Sequence, residues 1–232
     1  MFRFITSRLL QSLLALFLVI TATFFMIRFV PGGPFTAEKA VTPEILRNLE
    51  AHYGLNQPLW KQYLDYLGSL VQGDLGPSFK YPNRTVNEII GSSLPVSATL
   101  GLAAILIALL IGLAAGVIGS LRPNSFADVS TLTLALIGIS TPTFVAGTLL
   151  LLLFSVLLPI FPVASWGSPR DIVLPAITLS LPFAAYIARL TRVGMIEALG
   201  SDYIRTARAK GLDERTVILK HALKNAFLPV LS

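Results

Sequence analysis

An all-α integral membrane protein is the fold class this sequence predicts, on three observations. Of its 232 residues, 54% are hydrophobic and only 13% are charged, about half the charged share of an average soluble domain. The apolar residues gather in uncharged runs, and about 20 such residues are enough for a helix to cross a hydrocarbon layer of about 30 Å. The net charge of +6 falls on one side of the topology that those runs define. A disordered chain, a collagen-like chain and an ordinary soluble domain are excluded by this composition.

The first run, Leu9 to Ile27, holds nineteen residues without a charge between Arg8 and Arg28. Its basic start suits a secretory signal. Its apolar core, however, exceeds the usual ~7–15 residues and no small-x-small cleavage site follows, so it reads as a retained helix. Pro31-Gly32-Gly33-Pro34 breaks the chain after it. A helix is expected to start at Thr42 or Pro43, run through Glu44, Leu46, Leu49 and Tyr53, and end at Gly54. A second amphipathic piece runs from Pro58 to Val71, with Leu59, Tyr63, Tyr66, Leu67 and Leu70 on one face, and Gly73 stops it. Gly76-Pro77 and Tyr81-Pro82-Asn83 read as loop, and the glycosylation pattern in Asn83-Arg84-Thr85 is short enough to arise by chance. This external segment is too small to be stable alone, so it is expected to pack on the membrane helices or on a partner.

The second run, Ile89 to Leu121, contains a span from about 94 to 121. Val129 to Pro169 is 41 residues without a charge, too long for one ordinary span. Pro159, Pro162, Trp166, Gly167 and Pro169 break its end, which leaves a span at about 129–158 and a short loop. The fourth span, 172–188, is interrupted by Pro175 and Pro182, and a fifth apolar stretch occupies 226–232. The organisation is thus a cytoplasmic tip and first helix over 1–30, an external segment over 31–93, and a membrane core over 94–232. Pro142, Pro175 and Pro182 inside spans imply kinks or breaks. Gly112 and Gly116 form a small-xxx-small pair that lets helix backbones approach, either within the chain or at a subunit interface.

With the N-terminus inside, eleven Lys and Arg against five acids lie on the cytoplasmic side, and seven against seven lie outside. The whole net charge is therefore cytoplasmic, the positive-inside pattern. Membrane lipid accounts for the basic balance, and no nucleic-acid partner is needed. There is no Cys, hence no disulfide, thiol nucleophile or Cys-ligated zinc. The two histidines, His52 and His221, fall on opposite sides, and the expected spans lack Asp, Glu, Lys and His. That leaves no intramembrane hydrolase and no proton relay. Gly is never followed by Lys, so the chain has no phosphate loop of the Gly-Lys-Ser/Thr type with which to hydrolyse ATP. Ser, Thr and kinked backbone suit a translocation path whose energy comes from elsewhere.

The most informative segment is cytoplasmic, Glu197 to Arg215. Ser201 or Asp202 can cap a short helix through Lys210, Gly211 can end it in a left-handed turn, and Asp213 can cap a second helix through Val217, Ile218 and Leu219. The result is a helix–turn–helix elbow beneath the bilayer. Its basic residues suit a lipid-facing connector, and its small residues Ala207, Ala209 and Gly211 suit close docking against another protein.

Tyr203-Ile204-Arg205-Thr206-Ala207-Arg208-Ala209-Lys210-Gly211-Leu212, followed by His221-Ala222-Leu223-Lys224-Asn225-Ala226 and Leu228-Pro229-Val230-Leu231, resembles the cytoplasmic signature of peptide-class permeases of ATP-binding-cassette (ABC) importers. The importer loop is named for Glu-Ala-Ala, with a Gly four positions after the last Ala. Arg205-Thr206-Ala207 stands in that place, Gly211 matches the Gly, and Leu223 matches a later Leu. Lys224 replaces the usual Pro, as is typical of the peptide subfamily. Phe25 to Pro34, Tyr53-Gly54-Leu55-Asn56-Gln57-Pro58 and Gly73 to Tyr81 resemble the same family, and Pro77 to Tyr81 resembles the B-type subunits of its oligopeptide branch.

This resemblance implies a type I importer transmembrane fold of six spans in the cell inner membrane, of which the sequence supplies four and the start of a fifth, a truncated form. It implies a heterodimer with a second permease, two ATP-binding subunits and an external peptide-binding protein. ATP and magnesium would sit on the partner ATPases, with no cofactor, metal or catalytic residue on this chain. Tyr203 to Leu212, within a cytoplasmic coupling loop over 189–225, would dock on an ATPase. The cargo implied is oligopeptide, with dipeptide, nickel or another small solute as the alternative. A membrane scaffold that moves nothing would share the topology.

Overall fold

Helices dominate the described residues, whose only strand-like feature is an isolated antiparallel bridge between Pro77 and Thr85. The computed structural model describes residues 2–29, 54–78, 80–81 and 84–231. The Pro31–Pro34 breaker, the helix expected from Thr42 or Pro43 to Tyr53, and Pro82-Asn83 lie outside the described residues. The chain divides into two compact units, Met1–Ser93 and Leu94–Ser232.

In the first unit, α1 (Phe2–Phe29) leaves most of its large apolar side chains exposed, as a lipid-facing helix does. α2 (Leu59–Val71) packs on the end of α1 through rings. Phe24 is buried with its centroid 5.2 Å from Tyr63 and 5.5 Å from Tyr66. Arg28 lies 3.7 Å over the Phe24 ring and donates from Nε to Gln62 Oε1 at 2.8 Å. Such cation–π and aromatic contacts each add about 0.5–2 kcal/mol, so α2 is anchored on α1. The loop after α2 is tied by Asn87, whose Oδ1 accepts from Leu75 N–H and whose Nδ2 donates to Gly73 O. Thr85 and Glu88 exchange hydrogen bonds as a capping box that starts α3 (Val86–Leu121).

In the second unit, residues 94–121 of α3, α4 (Phe126–Ser140) and α5 (Thr143–Leu151) each pack against α6 (Pro169–Leu199). Three helices of the described residues are long and apolar enough to cross a bilayer, Arg3–Phe29, Val86–Leu121 and Pro169–Leu199. A fourth candidate is the pair Phe126–Ser140 and Thr143–Leu157, bent by 103°. The continuous helix expected over 129–158 is therefore two. The cause is Pro142, which pushes the residue before it out of the α region: Thr141 adopts φ −83° and ψ 120°. Its N–H and its hydroxyl both donate to Ile137 O, at 2.9 and 2.7 Å, and close α4. A π-helical turn, Leu152–Leu157, continues α5.

The span expected over 172–188 is only the middle of α6, which passes Pro175 and Pro182 and runs on through Arg189, Arg192 and Glu197 to Leu199. Charge ends a hydrocarbon crossing; it does not end a helix. Residues 189–199, expected as part of the coupling loop, are thus the foot of α6. The helix starts with Pro169 at its first position and a Ser168–Asp171 capping box.

Gly112 and Gly116 lie where α3 crosses α6. A Cβ on Gly112 would meet Ala184 O at 2.7 Å, and one on Gly116 would meet Thr191 Cβ at 2.6 Å. Only glycine allows this approach, and both contacts are within the chain.

Candidate functional site

The foot of α6 turns into a compact elbow. After Gly200 and Ser201 come α7 (Asp202–Ala209), the turn 210–213, α8 (Glu214–Thr216), a π-helical turn (Val217–Ala222) and α9 (Leu223–Ala226), followed by α10 (Leu228–Leu231). Local sequence accounts for the turn and for the start of α8. Ser201 is the N-cap residue of α7, but its hydroxyl donates back to Ala198 O rather than capping α7. Gly211 sits at φ 76°, a left-handed conformation that L side chains adopt only with strain. Asp213 Oδ2 accepts from Thr216 N–H at 3.0 Å and caps α8. The second arm, expected as an α-helix through Val217 to Leu219, widens into the π turn there.

The elbow has its own core. Met195 and Ala198 of α6 meet Ile204, Ala207, Val217, Ala222 and Ala226, with Ile204 and Val217 fully buried. A Cβ on Gly194 would lie 3.1 Å from Ala226 Cα, so the second arm crosses α6 at backbone distance. The elbow is thus fixed to the end of α6 by apolar packing, at about 25 cal/mol per Å² buried. Polar contacts brace the outside. Arg208 donates to both carboxylate oxygens of Glu214 across the Gly211 turn, Nε to Oε2 at 3.1 Å. Asn225 Nδ2 donates to Tyr203 OH at 2.9 Å and joins the two arms. Arg208 hydrogen bonding holds the Glu214 carboxyl below the usual carboxylate range, and Glu214 raises Arg208 in turn. Hydrogen bonding from Thr216 likewise lowers Asp213.

This core divides the ten residues of the signature. Ile204 and Ala207 point inward and present nothing to a partner. The expectation that Ala207 gives room for docking is corrected: its small side chain gives room for the second arm. Tyr203, Arg205, Thr206, Arg208, Ala209, Lys210, Gly211 and Leu212 are exposed. No atom lies within 4 Å of a Cβ placed on Gly211, so the tip of the turn is open.

Sequence reasoning missed a second constellation. Arg192 of α6 reaches Asp128 in the first turn of α4, Nε to Oδ1 and Nη2 to Oδ2, the latter at 2.7 Å. Asp128 is 1% exposed, and its Oδ2 also accepts from the N–H of Asn124, which adopts a left-handed φ of 64°. The two partners are 64 residues apart, and no local pattern couples them. Higher on α6, a cavity of about 710 Å³ is lined by Thr143, Thr148, Ser165, Arg170 and Thr178 among apolar side chains. Among the described residues no cluster of His, Asp and Glu could hold a metal ion.

Comparison with known proteins accords with this arrangement. The family described as "Binding-protein-dependent transport system inner membrane component" matches residues 108–232, and its companion, "Binding-prot-dependent transport system membrane comp, N-term", matches residues 1–103. The oligopeptide transport system permease protein OppB of Salmonella typhimurium is 49% identical over all of this chain and 76% of its own length. OppB of Haemophilus influenzae is 45% identical over the same shares. The dipeptide transport system permease protein DppB of Bacillus subtilis is 44% identical over all of this chain and 75% of its own length. Matched by both models and by these relatives over all of its own length, the chain belongs to the family of binding-protein-dependent transport system inner membrane components.

Proposed function

We propose that this chain is a membrane-spanning permease subunit of an ATP-driven importer that carries oligopeptides across the cytoplasmic membrane. The observation that carries this reading is the 49% identity to an oligopeptide permease across the whole chain. The chain acts by moving, without an acid, base or nucleophile of its own. Two partner ATPases bind and hydrolyse ATP with magnesium, a second permease completes the path, and an external binding protein delivers the peptide. The N-terminus is cytoplasmic, in line with the one-sided net charge.

The elbow is the docking site for an ATPase. Its exposed residues from Tyr203 to Leu212 enter a groove on the motor, and closure of the two ATPases pushes the elbow. Packing between the elbow and α6 passes that push into the membrane helices. The hydroxyl-lined cavity with Arg170 is a stretch of the path: hydroxyl lone pairs meet peptide N–H groups, and a cation meets carboxylate.

Uptake of labelled peptides of different lengths, in cells with and without this subunit, tests the function. Loss of tetra- and pentapeptide uptake without the subunit is expected. Loss confined to dipeptides favours the dipeptide reading, for which the 44% identity to a dipeptide permease speaks. ATP turnover that peptide and binding protein fail to stimulate in the assembled complex would favour a scaffold. Gly211→Trp tests the docking. The tip is open, so the substitution adds its bulk outside the elbow core and blocks the groove, at a strain of about 1–2 kcal/mol that Gly211→Ala shares. Uptake should fall with the complex still assembled from its membrane subunits; normal uptake would contradict the docking.

A further inference from the structure

We infer that Asp128 and Arg192 are positioning residues that join α4 and α6 into one rigid lever, so that a push on the elbow moves both helices together. This rests on the permease reading above and adds to it the path that the movement takes.

Both oxygens of Asp128 are engaged: Oδ1 takes Arg192 Nε–H, and Oδ2 takes Arg192 Nη2–H and the Asn124 N–H. With Asp128 1% exposed, opening the pair would strand a carboxylate away from water, which is strongly unfavourable. The pair therefore stays closed during the transport cycle. One contact alone would act as a pivot. A second contact lies farther along the same two helices, where a Cβ on Gly138 would sit 3.4 Å from Ala185 Cβ. Ten residues of α4 and seven of α6 separate the two contacts, roughly 15 and 10 Å along the helices. Two attachments that far apart remove the pivot.

The load then reaches α4 through α6. The elbow core includes Met195 and Ala198, three and six residues beyond Arg192, so the elbow grips α6 just below the ion pair. Displacement of the elbow carries α6, and through Asp128 it carries α4. The first joint able to yield is Thr141-Pro142, where the helix hydrogen bonding is already interrupted and the chain bends by 103°.

A disulfide tests rigidity directly. The sequence has no Cys, and the 3.4 Å separation is within about 0.1 Å of the disulfide Cβ–Cβ range of about 3.5–4.5 Å. Gly138→Cys with Ala185→Cys is placed in the complete importer, with second permease, ATPases and binding protein. Peptide uptake and ATP turnover are then read in the reduced and oxidised forms. The lever predicts equal uptake per ATP in both. Arrest on oxidation, with the reduced form active, would overturn it, because the two helices must then separate.

Asp128→Asn, alone and together with Arg192→Gln so that no buried carboxylate is stranded, provides the second arm. Each should lower peptide moved per ATP, on the order of tenfold, the usual size of a coupling between sites, while assembly and ATP turnover persist. Oxidation of the cysteine pair in the Asp128→Asn background leaves one attachment, a pivot, and should leave the ratio low; full restoration would overturn the two-attachment lever. Unaltered peptide moved per ATP in both variants would overturn the role of the ion pair. If Asp128→Asn does not assemble, the disulfide in the otherwise unaltered chain decides. An unaltered importer that moves no peptide of any length would remove the permease reading itself, a result distinct from all of these.

Discussion

Glycine does two different things in this chain, and substitution separates them. A Cβ on Gly116 would meet Thr191 Cβ at 2.6 Å, and one on Gly211 would meet nothing. Gly116→Ala forces a methyl into a filled crossing and should cost about 1–3 kcal/mol, through overpacking. Gly211→Ala should cost about 1–2 kcal/mol, from the left-handed backbone alone. Ile204→Ala empties the centre of the elbow core and should cost about 2–5 kcal/mol. Thermal unfolding of the purified complex ranks the three, and a Gly211→Ala loss as large as that of Ile204→Ala would contradict the open tip. Acid acts on the brace. Asp213 and Glu214 titrate lower in the folded elbow than in an unfolded chain, so the ionised forms favour folding. That contribution is complete above about pH 4.5 and disappears as pH falls through the lowered values. Amide protection of residues 202–216, corrected for the intrinsic pH dependence of exchange, should therefore be constant between pH 5 and 8 and fall below about pH 4. Both carboxylates are exposed, so added salt should weaken the same contribution at neutral pH.

Helices carried their signals unevenly. The elbow was legible because its punctuation is local: a serine before α7, a glycine at the turn, an aspartate before α8. Its inward face was not, since Ile204 and Ala207 reveal their direction only once the second arm is in place. The length of α6 was misjudged at Arg189 because hydropathy measures what crosses hydrocarbon, whereas backbone hydrogen bonding continues in water. Three prolines in expected spans looked alike, yet only Pro142 breaks its helix. Pro175 and Pro182 sit inside the continuous α6, which packs against α3, α4 and α5. Pro142→Ala tests the cause of the bend. Spin labels at Leu134 and Leu153, both exposed, should move apart toward the roughly 28 Å of a straight helix. An unchanged distance would mean that surrounding packing, and not proline, sets the bend.

At the scale of the whole molecule, hydrophobic runs and one-sided charge were enough to predict a multi-pass membrane protein, and the signature from Tyr203 to Leu212 was enough to identify the family. Long-range pairings such as Asp128 with Arg192 required the fold. In the proposed permease the moving handle is on the side of the ATPases, and sidedness is therefore the property on which that reading depends. Lys210→Cys, the single cysteine in the chain, places a thiol on the exposed face of the elbow. A membrane-impermeant maleimide should leave it unlabelled in intact cells, label it in inside-out vesicles, and lose access again when the ATPase subunits are bound. Labelling from the outside of intact cells would put the elbow beyond the reach of any cytoplasmic motor and contradict the account.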